Sequence, residues 1–158
     1  MGQTQAIIEA LNHSNLPKAI QCVVNPLNSA GAIGYVDEDF DPHKILRESQ
    51  KVGVPILAIR AVQAGALTLE MDRDPHHSGF DIKDFEDYDR AEPFRRLASE
   101  WEINPSVLAH RYALSAEKVS SVILGVKNRD ELLDCLDAES TGPLTQQQIT
   151  EIDKVLSK

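Results

Sequence analysis

The chain has 158 residues, 42% hydrophobic and 26% charged, the composition of one ordinary globular domain, which excludes a collagen-like, mucin-like or wholly disordered polymer. Sixteen Lys and Arg against 25 Asp and Glu leave a formal net charge of -9, a field that repels nucleic-acid backbones and anionic lipid at long range. Neither nucleic acid nor a membrane is therefore expected as a partner, although a helix N-terminus still binds phosphate locally through its own N–H groups.

Ile7, Ile8 and Leu11 fall at helical spacing, and Asn12, Ser14, Asn15 and Pro17 end that helix. Ala19 to Val24 is a short apolar run closed by Asn25-Pro26, the pattern of a parallel-sheet strand covered on both faces. After Asp41-Pro42 a helical face resumes at Ile45, Leu46, Ser49 and Val52; Gly53 stops it, and Pro55 to Ile59 reads as a second strand. Leu69 to Asp89 is polar, rich in Asp and His and without a sustained period, which predicts a long loop over a functional end of the fold. Phe94, Leu97, Ala98 and Trp101 mark a helix, and Asn104-Pro105 caps another running to about Ser115. Val119 to Leu124 is the third strand, ending at Gly125. Asn128 caps a helix expected to turn Leu132, Leu133 and Leu136 inward, and Thr145 with Gln148 forms a capping box ahead of a last amphipathic helix.

Strands alternating with helices, with no hairpin signal between them, specify an α/β fold with a parallel sheet. A closed eight-stranded α/β barrel needs roughly 250 residues, so the chain is either a small open layer or part of a barrel. Cys22 and Cys135 stand in hydrophobic contexts with no zinc-ligand spacing, which predicts buried free thiols in a reducing compartment. No window approaches the roughly 18 apolar residues of a membrane span, and no leader pattern opens the chain, so the expected location is cytoplasmic. His76 and His77 with Asp72, Asp74 and Asp81 fix no coordination geometry, so no metal site is assigned; Asp84 to Asp89 is expected to be solvated.

The run from Pro55 to Thr68 resembles the seventh strand and following turn of the aldo-keto reductases, and Ile20 to Asn28 is similar to their sixth strand. Pro105 to Leu114 resembles their helix seven, Val122 to Asn128 their strand eight with its loop, and Leu132 to Ala138 and Gly142 to Thr145 the closing helices. On these segments, in family order, residues 1–158 are identified as the C-terminal portion of a TIM (β/α)8 barrel, a partial aldo-keto reductase domain without the catalytic N-terminal half.

The resemblance implies an NADP-dependent oxidoreductase of carbonyl compounds. The family's catalytic Asp, Tyr, Lys and His belong to early strands and have no counterpart here, so no catalytic residue is assigned, Tyr35, Tyr88 and Tyr112 included, and the chain alone is expected to be inactive. What it retains are cofactor contacts. Gln21, an amide inside an apolar strand, reaches the nicotinamide carboxamide in the family or else has a structural partner. Arg60, closing the second strand, either neutralises a diphosphate or pairs with a loop carboxylate. Gly125, Lys127, Asn128 and Arg129 form the turn that holds the adenosine 2′-phosphate in the family, where a helix N-terminus and two cations converge; the alternative is solvated surface charge.

These features favour NADP over NAD. The sequence departs from the family at Ile59, where an aromatic residue is common, at Arg60, where a small hydroxyl residue is common, and at Glu131 and Cys135, where arginine and asparagine are frequent. Three strands leave two unpaired edges, so self-association or pairing with the missing N-terminal half is expected alongside the nicotinamide cofactor. The rival function is a non-catalytic half-barrel that binds nucleotide or a partner.

Overall fold

The structure is a computed structural model that describes residues 3–33, 39–71 and 82–157. Strands β1 (Ile20–Val23), β2 (Ile56–Ile59) and β3 (Val119–Val122) form a parallel sheet in the order β1-β2-β3. Helix α1 (Thr4–Leu11) precedes the sheet and α2 (Pro42–Val52) crosses from β1 to β2. Helices α3 (Ile82–Arg90), α4 (Glu92–Glu100) and α5 (Pro105–Ser115) lie between β2 and β3, and α6 (Arg129–Thr141) and α7 (Gln146–Leu156) close the chain.

Local chemistry sets the helix boundaries. Asp41 accepts the Lys44 N–H ahead of Pro42, Asn104 accepts the Ser106 N–H ahead of Pro105, and Asn128 accepts the Glu131 N–H. Thr145 and Gln148 form the expected capping box. Gly53 ends α2 at φ 72, in the left-handed region that glycine enters without a Cβ penalty.

The alternation of a strand separates two faces. Cys22, Ile56 and Ala58 point to the helix layer and pack with Ile45 of α2 and Ala113 of α5. Gln21, Leu57 and Ser121 stand opposite one another across the three strands on the other face, while Val23 and Ile59 of that face are covered by Ala30, Ile33 and Phe40. The largest core joins Leu67, Phe94, Leu97 and Leu108 to Ile152 of α7. Both cysteines are free and buried, as expected. Among the described residues no helix is long and apolar enough to cross a membrane.

The structure corrects several sequence expectations. Residues 82–89 of the expected loop belong to α3, and Asp84 and Asp87, expected to be solvated, are buried. Gln21 is exposed, so no buried amide demands a partner there, and β1 is not covered on both faces along its whole length. Strand β3 ends at Val122, with Ile123 and Leu124 exposed. On α6 the buried residues are Cys135 and Ala138, whose small side chains admit α5 closely, whereas Leu132, Leu133 and Leu136 are 40%, 48% and 55% exposed.

His110 of α5 joins this helix pair. Its Nδ1–H donates to the Ser106 carbonyl at 2.8 Å, which leaves Nε2 to accept from the Cys135 thiol at 3.5 Å. Burial holds the His110 pKa below its ordinary value, against the opposing Ser106 bond and the nearby Asp134 charge. The unfolded imidazole titrates near about 6.5. Below that pH the unfolded chain takes up the proton first, so this contribution is intact at higher pH and is lost as pH falls through the unfolded value towards the folded one. Urea unfolding should therefore show stability falling between about pH 7.5 and about 5.5, with part of the fall removed in His110→Gln. An unchanged slope in that variant contradicts the assignment.

Candidate functional site

Ligands of parallel α/β sheets bind outside the C-terminal ends of the strands. Here those ends lead into Val24-Asn25 after β1, Arg60 after β2, and Ile123 to Asn128 after β3. Asn25 is buried and turns the chain: its Oδ1 accepts from the Ser29 N–H, and its Nδ2 donates to the Ser29 carbonyl at 2.9 Å and the Arg60 carbonyl at 3.1 Å.

Arg60 adopts φ 57, a left-handed conformation that costs a non-glycine residue roughly 1–2 kcal/mol. A polar network holds it there. Its Nε donates to Gln63 Oε1 at 2.8 Å and its Nη2 to Asp84 Oδ1 at 2.7 Å, so the carboxylate alternative is realised, with the carboxylate on a helix. Gln63, fully buried, passes the network on through Nε2 to Asp87 Oδ2 at 2.7 Å, and Asp87 Oδ1 accepts from Arg90 Nη1 at 2.7 Å. Each buried carboxylate thus faces an arginine, which is the condition for burying charge. Asp84 Oδ1 also accepts the Ala32 N–H at 3.1 Å. Gly31, at φ 58, lies against this network so closely that a Cβ would collide with Asp84, Gln63 and Arg60.

Gly125, Lys127, Asn128 and Arg129 are all exposed in the turn from β3 into α6. Asn128 Oδ1 caps the helix by accepting the Glu131 N–H at 2.9 Å, and the Glu131 carboxylate accepts the Lys127 N–H at 2.8 Å and an Asn128 amide hydrogen at 3.3 Å. Glu131 thus occupies one of the backbone donors expected to face a phosphate. The fold brings Arg60 and residues 125–129 to the same end of two paired strands, while Gln21 lies within β1, opposite Leu57.

Sequence reasoning missed Gln63, Asp84, Asp87 and Gly31. The available signal was the spacing of Asp84 and Asp87, three apart and so on one face of a helix. Other polar groups are not poised for chemistry. Burial pushes the Cys22 thiol up to about 12, and Tyr112 is shifted upward by burial and by its hydrogen bond to Asp153 at 2.9 Å. Tyr88, expected in a loop, stands on α3 and donates to the Leu69 carbonyl. Among the described residues no cluster of His, Cys, Asp and Glu is arranged to hold a metal ion; Tyr35, His76, His77, Asp72, Asp74 and Asp81 lie outside them. A groove of about 310 Å3 between α2 and the end of α5, with Leu46, Arg47, Tyr112 and Ile149 in its walls, includes none of the predicted cofactor residues.

Comparison with known proteins agrees with this architecture. The aldo-keto reductase AKR11C1 from Bacillus halodurans is similar in fold, with a TM-score of 0.70 for its apo form at 21% identity and 0.68 for its holo form at 22%. In both, the match covers 98% of this chain and 48% of that one. The glycerol dehydrogenase AKR11B4 from Gluconobacter oxydans gives 0.63 at 19% identity over 88% of this chain and 42% of its own. The chain thus spans about half the length of these barrels, as a C-terminal part with three parallel strands. The family model described as Aldo/keto reductase family matches residues 3–157, and the chain belongs to that family.

Proposed function

We propose that this chain supplies the nucleotide-binding side of an NADP-dependent aldo-keto reductase acting on carbonyl compounds in the cytoplasm, within a domain whose catalytic half lies outside residues 1–158. The observation that carries this reading is the exposed turn from β3 into α6. Lys127 and Arg129 stand there beside a helix N-terminus, sources of positive potential for the 2′-phosphate that distinguishes NADP from NAD, set against the Asp130 and Glu131 carboxylates of the same first turn. Gly125 borders open space, since a Cβ there would meet nothing within 4 Å, and Asn128 caps the helix. The bound cofactor supplies the hydride; these residues bind and orient it. Gln21, exposed on the face away from the helices, offers its amide to the nicotinamide carboxamide. Arg60 is paired with Asp84 in this structure, so here it shapes the turn after β2 and presents a partly neutralised cation there.

Fluorescence titration tests the reading. Lys127→Ala and Arg129→Ala should each weaken NADPH binding about five-fold while changing NADH binding less than about two-fold, the discount from a buried charged hydrogen bond reflecting exposure. Equal losses for both cofactors contradict it.

A second reading, a non-catalytic half-barrel that binds nucleotide or a partner, is favoured by the exposed Ile123, Leu124, Leu132, Leu133 and Leu136 and by the outer edges of β1 and β3. Sedimentation at about 5 μM, a concentration where only interfaces of real affinity persist, tests whether that face and those edges take a partner. Self-association or poor solubility supports the uncovered face, and a monodisperse, sharply melting monomer contradicts it.

A further inference from the structure

The Asp84 carboxylate fills a cradle that has the chemistry of an anion site. Oδ1 accepts from the Arg60 guanidinium at 2.7 Å and from the Ala32 N–H at 3.1 Å, and it lies where only a residue without a Cβ, Gly31, leaves it room. A cation, a backbone donor and a glycine around one oxygen suit a phosphate oxygen as well as a carboxylate oxygen. The occupant comes from α3, a different element from the two loops that build the cradle. Asp84 is 2% exposed, whereas the Arg60 side chain keeps 21%, so the cation is reachable from solvent.

We infer that Asp84 is a built-in competitor for this cradle, such that a diphosphate takes its place at Arg60 only when α3 gives way. The cradle carries the inference, which rests on the nucleotide reading only for the identity of the molecule that bears the diphosphate. The exchange is one anion for another at the same donors. Asp87 does not block it, because Arg90 already balances that carboxylate and Gln63 stands between it and Arg60. Linkage makes the effect reciprocal: anion binding loosens α3, and loosening α3 raises anion affinity by the same factor.

Sodium pyrophosphate is the probe, with the full chain and two readouts. By calorimetry, Asp84→Asn should bind pyrophosphate at least about ten-fold more tightly than the wild type, about 1.4 kcal/mol. Adding Arg60→Gln should cancel that gain. By hydrogen exchange on the wild type, saturating pyrophosphate should accelerate the amides of residues 82–90. A folded Asp84→Asn variant with unchanged affinity, a gain that survives Arg60→Gln, or exchange of 82–90 that is unaltered or slowed each overturns the inference. Pyrophosphate that only protects residues 125–131 overturns it as well, by placing the anion at the α6 turn. Should Asp84→Asn fail to fold, the wild-type exchange decides. Failure of the nucleotide reading shows separately, as equal NADPH and NADH losses in Lys127→Ala and Arg129→Ala.

Discussion

With saturating NADPH, this chain alone should reduce none of a panel of aldehydes and quinones. Carbonyl reduction needs a proton donor beside the oxygen as hydride arrives, and that group contributes about 100- to 10,000-fold to such reactions. Tyr112 is buried and bound to Asp153, and Tyr88 donates to the Leu69 carbonyl beside Arg95, whose guanidinium lies 3.8 Å from its ring centre. Initial-rate assays on repurified protein check this. Turnover that disappears when a residue within 1–158 is substituted means that the chain holds a catalytic group of its own.

Gly31→Val should cost about 3 kcal/mol or more, the largest stability effect expected from a single side chain here. Three terms act together: a β-branched residue in the left-handed region, overpacking against Arg60, Gln63 and Asp84, and disturbance of a buried ion pair. Gly53→Ala is the control, because φ is 72 there but a Cβ would meet nothing within 4 Å, so only the backbone cost of about 1 kcal/mol remains. Urea unfolding of both variants measures the difference. Equal losses mean that the network around Gly31 adapts without cost.

The parallel α/β order was legible because its signals are local. β1 and β2 lie in short, mostly apolar runs closed by a turn, β3 takes only the Val119–Val122 part of its expected run, and Asn104, Asn128 and Thr145 announce their helices by caps that the structure reproduces. Helix α3 was illegible because its buried face is Asp84 and Asp87, and burying them depends on Arg60 and on Arg90, a pairing that no hydropathy pattern encodes. Leu132, Leu133 and Leu136 misled for the converse reason: α5 packs on the small stripe of Cys135 and Ala138, so the leucines flank the contact. The β3–α6 turn was legible as a turn because Gly125 and the Asn128 cap are local signals, its phosphate role coming from the family resemblance, while the cradle around Arg60 needed three separate segments to be brought together.

The most direct measurement is a backbone-resolved NMR titration comparing adenosine 2′,5′-bisphosphate with adenosine 5′-monophosphate, which differ only in the phosphate that Lys127 and Arg129 are proposed to hold. The bisphosphate should shift the amides of residues 125–131 and bind about ten-fold more tightly than the monophosphate, the worth of one charge-assisted phosphate contact at an exposed site. Identical affinities, or shifts that leave residues 125–131 untouched, would contradict the assignment of this turn as the cofactor's 2′-phosphate site.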